Sequence, residues 1–349
     1  MGFISSSKPD ELEQLRGLSA RIGCDPLLTQ ASTGNSSIKL NGTLWIKASG
    51  RWLSDAELQD IMVPLDLNET RGYIKQKIDP SCVYEDASVE TAMHAVLPHR
   101  VVLHVHSVNT IAWAVRKDAR RRLEARLRGL NWQWISYVPS GLPLAGEIER
   151  AVCRLPRPDV FILGNHGLVV AGDNCEAVAA LLSEVERRLA VPSRKVNAAH
   201  YTALLQAAHR LAYVLPEDEI VHALATDPTS QSILSQGILF PCQSIFSNSL
   251  TPNLFRAVSL MESGKHQNRR SVMRPFLIIE GCGVLIRRDM TTMQRAIMSG
   301  LAQVLQRIDP SAPIRYLTDE QAQDSAQVVS RYHKEAHSVR RRLDSSVVA

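Results

Sequence analysis

Three imidazoles and one carboxylate stand out in the chain. They are His104 and His106 in His104-Val105-His106, Glu90 in the upstream Ser88-Val89-Glu90, and His166 in the downstream Asn165-His166-Gly167. Side chains alternate along a β-strand, so two histidines at i and i+2 point to the same side of it. Val101-Val102-Leu103 and Val105 are strand formers, which predicts a strand over 100–106. Neutral imidazole nitrogens ligate divalent metals. Three of them leave a tetrahedral or octahedral ion with open positions, which suits catalysis better than structure.

Glu90 lies fourteen residues before His104, across a helix and a turn that fold it back beside the strand. A carboxylate beside a metal acts as a ligand or, displaced by substrate, as a general base, and burial would raise its pKa toward the operating range. A metal-bound carbonyl oxygen acidifies the neighbouring C–H and stabilises an enediolate, the two requirements of aldol cleavage or formation. Three small-residue stretches, Gln30 to Ser37, Ala48-Ser49-Gly50 and Asp86-Ala87-Ser88, offer backbone N–H groups and hydroxyls that together would cradle an anion such as phosphate. His94, one helical turn after Glu90, reads equally as a partner orienting the metal site and as a satisfied core histidine.

The elements that must position these groups are short. Leu12, Leu15, Leu18 and Ile22 recur at helical spacing over 9–22, with Asp10 as the N-cap. Strands are expected around 36–40 and 43–47, and a helix over 88–97 that buries Val89, Met93 and Val96. A further helix starts near Thr110 and runs into the basic stretch, and another covers 144–154. Val160 to Leu163 reads as a strand leading into Asn165-His166-Gly167, with Leu168 to Val170 as its return. Residues 174–189 form an amphipathic helix with acid early and Arg187-Arg188 late, as the helix dipole prefers.

This alternation makes residues 1–205 one α/β domain. A smaller C-terminal α+β extension follows over 206–343, and 344–349 is expected to be disordered. Within the extension the patterning predicts helices at 198–212 (beginning before its boundary) and 216–224, strands near 237–240 and 244–246, a hairpin over 276–286, and helices at 289–308 and 318–337.

The 349 residues suffice for two cores, and 45% hydrophobic with 21% charged residues is ordinary for a soluble globular protein. The net charge of +5 is concentrated in Arg116–Arg128 and Arg340–Arg342, and no aromatic residues interleave with those arginines as a nucleic-acid stacking platform would need. Lys117 to Arg122 is therefore read as a solvated helical face, and no nucleic-acid partner is expected. No apolar run approaches bilayer length, and the first eight residues lack the apolar core of a secretory signal. Six cysteines without a CxxC pair fit free thiols in a reducing cytoplasm.

Taken as an ordered set, Gly34-Asn35-Ser36-Ser37, Trp45 to Gly50, Ser88-Val89-Glu90 with His94, His104-Val105-His106 and Asn165-His166-Gly167-Leu168 resemble the class II aldolase/adducin family, from about residue 10 to 190. The resemblance implies a central mixed β-sheet flanked by helices. It implies His104, His106 and His166 as ligands of a divalent metal, zinc by preference, and Glu90 as the catalytic acid/base. It implies Gly34, Asn35, Ser49, Gly50 and Ser88 as phosphate- or substrate-binding positions. The reaction it implies is aldol cleavage or formation on a small sugar or sugar phosphate; a sugar-phosphate epimerase or decarboxylase using the same metal, and a non-catalytic adducin-like interaction module, are the alternatives. A homo-oligomer is implied, a tetramer before a dimer, in which a neighbouring subunit lends a proton donor.

That donor matches no motif here; Tyr137 lies near the right stretch and reads more readily as a buried structural tyrosine. Leu97-Pro98-His99 and Arg51-Trp52-Leu53 are similar to the branch containing the aldolase halves of bifunctional aldolase–dehydrogenase proteins. No GxGxxG dinucleotide fingerprint occurs. Two departures stand out: Cys242-Gln243 follows Pro241 where the branch has Asp-His, and Ala31-Ser32-Thr33 stands where it has glycines.

Overall fold

The computed structural model describes residues 10–211, 213–246 and 274–325. The chain divides into two compact units. Among the described residues, the first is built from those up to Ser107 and from Ala125–Arg188, the second from Val108–Glu124 and from those within Leu189–Ser330.

The first unit is organised on a mixed seven-stranded sheet. Its strands are β1 (Asn35–Leu40), β2 (Thr43–Lys47), β3 (Met62–Asp66), β4 (Val101–Val105), β5 (Trp132–Ile135), β6 (Val160–Leu163) and β7 (Gly167–Gly172), in the spatial order β3-β2-β1-β4-β7-β6-β5. All neighbours are antiparallel except the parallel pair β5–β6. The central strands are buried on both faces, because helices cover both. On one face, α1 (Asp10–Gly23) lies against β1, where the Ser19 and Ser36 hydroxyls meet at 2.7 Å. On the other, Met93 of α3 (Thr91–Val96) and the adjoining Leu97 pack with Leu144, Ile148 and Ala151 of α6 (Leu142–Val152) over Val102, Phe161, Val169 and Ala171 of the sheet. The expected mixed sheet flanked by helices is what the chain forms.

The second unit holds a three-stranded antiparallel sheet, β8 (Tyr213–Val214), β9 (Phe276–Ile279) and β10 (Gly283–Arg287), in the order β8-β10-β9. Leu204 and Ala207 of α8 (Tyr201–Leu211) pack on Tyr213, Leu277, Ile279 and Leu285. A Thr291–Gln294 capping box starts the last named helix, Thr292–Leu305.

Several sequence expectations need correction. The helix expected over 88–97 is shorter, with Glu90 at its N-cap. The single helix expected from Thr110 is two, Val108–Ala114 and Ala119–Arg126. The break has a tertiary cause: Arg116 forms a bridge with Ile314, Lys117 N–H donates to Pro313 O, and Arg315 N–H donates to Val115 O. The helix expected at 216–224 is a 3-10 turn, Glu219–His222, followed by the short helix Ala223–Thr226. The strands expected near 237–240 and 244–246 do not form; Pro241–Phe246 is a 3-10 helix. There the Gln243 side chain accepts from the N–H groups of Leu239 and Phe240, supplying the partner that a strand ladder would have given. The segment expected to be helical over 318–337 is helical from 319 to 325; its remainder and 344–349 lie outside the described residues.

Phe161, fully buried at the centre of the β6–α3–α6 packing, tests this arrangement. Truncation to alanine removes the ring and leaves a cavity that rigid strands fill poorly. Phe161→Ala is expected to lower unfolding free energy by about 3–5 kcal/mol, read from the shift of the denaturant midpoint at unchanged m-value; a shift under about 1 kcal/mol would place Phe161 outside the core.

Candidate metal centre

Strand β1 organises the site through its two-residue period. Ser36 faces α1. On the opposite face, Asn35 Nδ2 donates to Glu90 Oε2 at 2.6 Å, Ser37 Oγ bonds His94 Nδ1 at 2.7 Å, and Lys39 Nζ donates to His99 O at 2.9 Å. Three alternate residues of one strand thus meet three successive levels of the α3 segment. Strand β4 pairs with β1 so that His104 stands directly opposite Asn35, which brings His104 to the same side as Glu90.

The histidines converge from two places. His104 is on β4, and His106 follows the strand end at Val105. His166 sits in the tight connection between β6 and β7, where His166 N–H donates to Leu163 O and Asn165 takes a left-handed φ of 53°. Gly167 permits the convergence: a Cβ there would stand 2.6 Å from Val105 O and 3.2 Å from the His104 ring. Gly34 does the same from the other side, with φ 76° and room for a Cβ only 2.8 Å from His104 O.

His104, His106 and His166 place ligand nitrogens within 4.8 Å of one another, the one such group of three among the described residues. Their rings are mutually steep, with interplanar angles of 68°, 76° and 84° and centroids 4.9–5.1 Å apart. His104 Nδ1 lies 3.0 Å from the Leu168 carbonyl, which can only accept, so the ring carries its proton there and turns a lone pair on Nε2 inward. Nε2 of His104 and of His106 are 3.1 Å apart. Two ligands at about 2.0–2.1 Å from a tetrahedral zinc would be separated by roughly 3.3–3.4 Å. Glu90 Oε1 is 3.4 Å from Nε2 of both His104 and His166. Three buried imidazoles that bring ring nitrogens together, with a carboxylate beside them, fit a divalent cation.

The electrostatics point the same way. Burial pushes the His104 imidazole down to about 4 and the His106 imidazole well below its usual range, so both rest neutral at pH 7, as ligands must be. Burial alone would raise the Glu90 pKa, as expected from the sequence, but the expectation fails: His104 foremost, with His166 and His106, overrides burial and holds the carboxyl well below the usual carboxylate range.

The small-residue loops gather around this cluster. Ser49 N–H donates to Asp86 O, joining the 48–50 and 86–88 stretches, and Ser88 Oγ accepts from Glu90 N–H. Gly34 and Asn35 abut His104 and Glu90, and Gly50 (φ 69°) follows Ser49 in its turn. His94 is wholly buried with its Nδ1 on Ser37, and Tyr137 is 7% exposed at the head of the loop that precedes α6.

Two residues of the neighbourhood were not expected. Ser140, in that loop, brings Oγ to 3.5 Å from Glu90 Oε1; nothing in Pro139-Ser140-Gly141 distinguishes it from an ordinary turn. Lys47 is fully buried, and its Nζ donates to Ser32 O and Arg51 O, tying the 31–34 and 48–51 loops together. A lysine beside the apolar Ile46 and Ala48 at the end of a buried strand was the available signal.

The family profile of the Class II Aldolase and Adducin N-terminal domain matches residues 19–191. A protein of Bacillus subtilis (strain 168) named "Uncharacterized oxidoreductase YuxG" is 26% identical over 190 residues, covering 48% of this chain and 27% of that protein. The chain therefore spans about a quarter of that relative's length. Among solved structures, the N-terminal class II aldolase domain of a conserved protein from Thermoplasma acidophilum is 23% identical, with TM-score 0.45 over 54% of this chain and 97% of that one. The L-fuculose-1-phosphate aldolase of Thermus thermophilus is 18% identical, with TM-score 0.39 over 52% and 92%.

His94 gives the site a measurable pH signature. Burial lowers its pKa from 6.5 to about 3, so below pH 6.5 the unfolded chain takes up a proton that the folded chain refuses. Its contribution to stability is whole above pH 6.5 and is lost as pH falls toward 3. His94→Gln, which keeps a polar partner for Ser37, is expected to show a smaller fall in Tm between pH 7 and pH 5 than the parent; an identical fall would contradict the burial of a neutral imidazole there. Residues 19–191, which contain His104, His106, His166 and Glu90, belong to the class II aldolase and adducin family.

Proposed function

We propose that this chain is a divalent-metal-dependent lyase, with zinc the favoured ion, that makes or breaks a carbon–carbon bond beside a carbonyl in a small sugar or sugar phosphate. The observation that carries the reading is Glu90 Oε1, poised 3.4 Å from two of three convergent imidazoles. A bound divalent ion supplies Lewis-acid polarisation of a carbonyl oxygen. His104, His106 and His166 would hold it, each through one ring nitrogen.

The remaining work belongs to the chain's own groups. Glu90 Oε1 takes the proton whose departure opens the carbon–carbon bond and returns it in the opposite direction. The carboxylate is buried, so it is shielded from water that would compete for that proton. Gly34, Asn35, Ser49, Gly50 and Ser88 surround the centre with hydroxyl and amide groups suited to a phosphate or to sugar hydroxyls. Lys47 holds two of these loops in register. Six free cysteines support a reducing compartment such as the cytoplasm.

Product analysis tests the reaction. With a panel of ketoses and ketose 1-phosphates followed by NMR, the account expects a shorter aldehyde or triose, formation of which stops on chelation. Glu90→Gln is expected to lose about 10²–10⁴-fold in turnover. An epimer of unchanged carbon count would assign the epimerase reaction instead, and carbon dioxide release the decarboxylase. A Glu90→Gln protein as active as the parent would remove Glu90 from the chemistry.

A homo-oligomer, most simply a tetramer, is part of the proposal, since closed symmetric assembly lets one subunit complete another's site. Light scattering of the purified protein is expected to give a multiple of 38.7 kDa; a monomer with full activity at nanomolar concentration would show that each chain completes its own site.

A further inference from the structure

The two oxygens of Glu90 have different surroundings. Oε1 faces Nε2 of His104 and His166, with the Ser140 hydroxyl at 3.5 Å. Oε2 accepts the 2.6 Å hydrogen bond from Asn35 Nδ2. Asn35 is itself held in place: its backbone pairs with His104 across β1–β4, it follows Gly34 at the close approach to His104 O, and it is 4% exposed.

An ionised carboxylate offers only acceptors, so the amide must present nitrogen to Glu90, and this fixes its orientation. The cost is visible on the other side of the amide, where Asn35 Oδ1 is buried without a hydrogen-bond partner. A buried orphan acceptor lowers stability, and such groups call for an explanation beyond folding.

We propose that Asn35 is a positioning residue that confines Glu90 to a single reactive oxygen. A free carboxylate beside a divalent ion can present both oxygens and fill two positions around it. With Oε2 tied to Asn35, only Oε1 is left to face the imidazole cluster, and the position that Oε2 would take stays open for substrate. The same tie decides which oxygen exchanges the proton. This inference rests on the metal-centre reading above and adds to it a division of labour within one carboxylate.

Cobalt(II) is the probe, because its visible absorption reports coordination number and ligand type. The protein is titrated with Co²⁺ as the parent and as Asn35→Ala, Glu90→Gln and the double variant; Asn35→Ser serves if the alanine variant does not fold. The expected result is that Asn35→Ala weakens and shifts the visible band, as a second carboxylate oxygen joins the ion. In the Glu90→Gln background the same substitution is expected to change nothing further, since the effect runs through Glu90. A parent-like spectrum for Asn35→Ala, or an equal change with and without Glu90, overturns the inference while leaving the metal centre intact. A parent protein that binds no Co²⁺ overturns the metal-centre reading and this inference with it.

Discussion

The burial of the Glu90 carboxylate is the constraint on which the rest of the first unit depends. Removing such a charge from water costs on the order of several kcal/mol unless donors or a cation compensate. Asn35 supplies a strong donor, Ser140 a weaker one, and the imidazoles of His104 and His166 stand against the remaining oxygen. Each of these is carried by a different element. The β1–β4 register, the close packing at Gly34 and Gly167 and the β6–β7 turn are all needed to bring them to one place.

That dependence explains why the polar contacts follow the strand period. Asn35, Ser37 and Lys39 share one face of β1 and engage Glu90, His94 and the His99 carbonyl in turn. A one-residue slip of β1 would send this set to the α1 face and bring Ser36 and Ile38 beneath α3. The bonds therefore hold register as well as satisfy buried groups, and they couple correct folding of the sheet to assembly of the site. The apolar packing of Met93 and Leu97 with α6 anchors the same segment from its other side.

Much of the site was legible because it depends on local spacing. His104-Val105-His106 carries a strand period, and Asn165-His166-Gly167 carries the signature of a tight connection, so both were readable as chemistry before any fold was known. Strand β4 itself ends at Val105, and His106 reaches the cluster from beyond it. The partners of Glu90 were less legible. Nothing local tells Asn35 that its amide will meet a carboxylate 55 positions away, or marks Ser140 apart from any serine in a turn. Where elements were misread, tertiary contacts had replaced local preference, as at Arg116 paired with Ile314 and at Gln243 serving the N–H groups of Leu239 and Phe240.

The central claim is that His104, His106 and His166 together hold one divalent ion. Metal content by mass spectrometry, with X-ray absorption on the loaded protein, addresses it most directly. The account predicts about one ion per chain with a first shell of three imidazole nitrogens, and loss of that ion in both His104→Ala and His166→Ala. A protein that retains no divalent ion, or one whose ion survives the His166→Ala change with an unaltered shell, would contradict it.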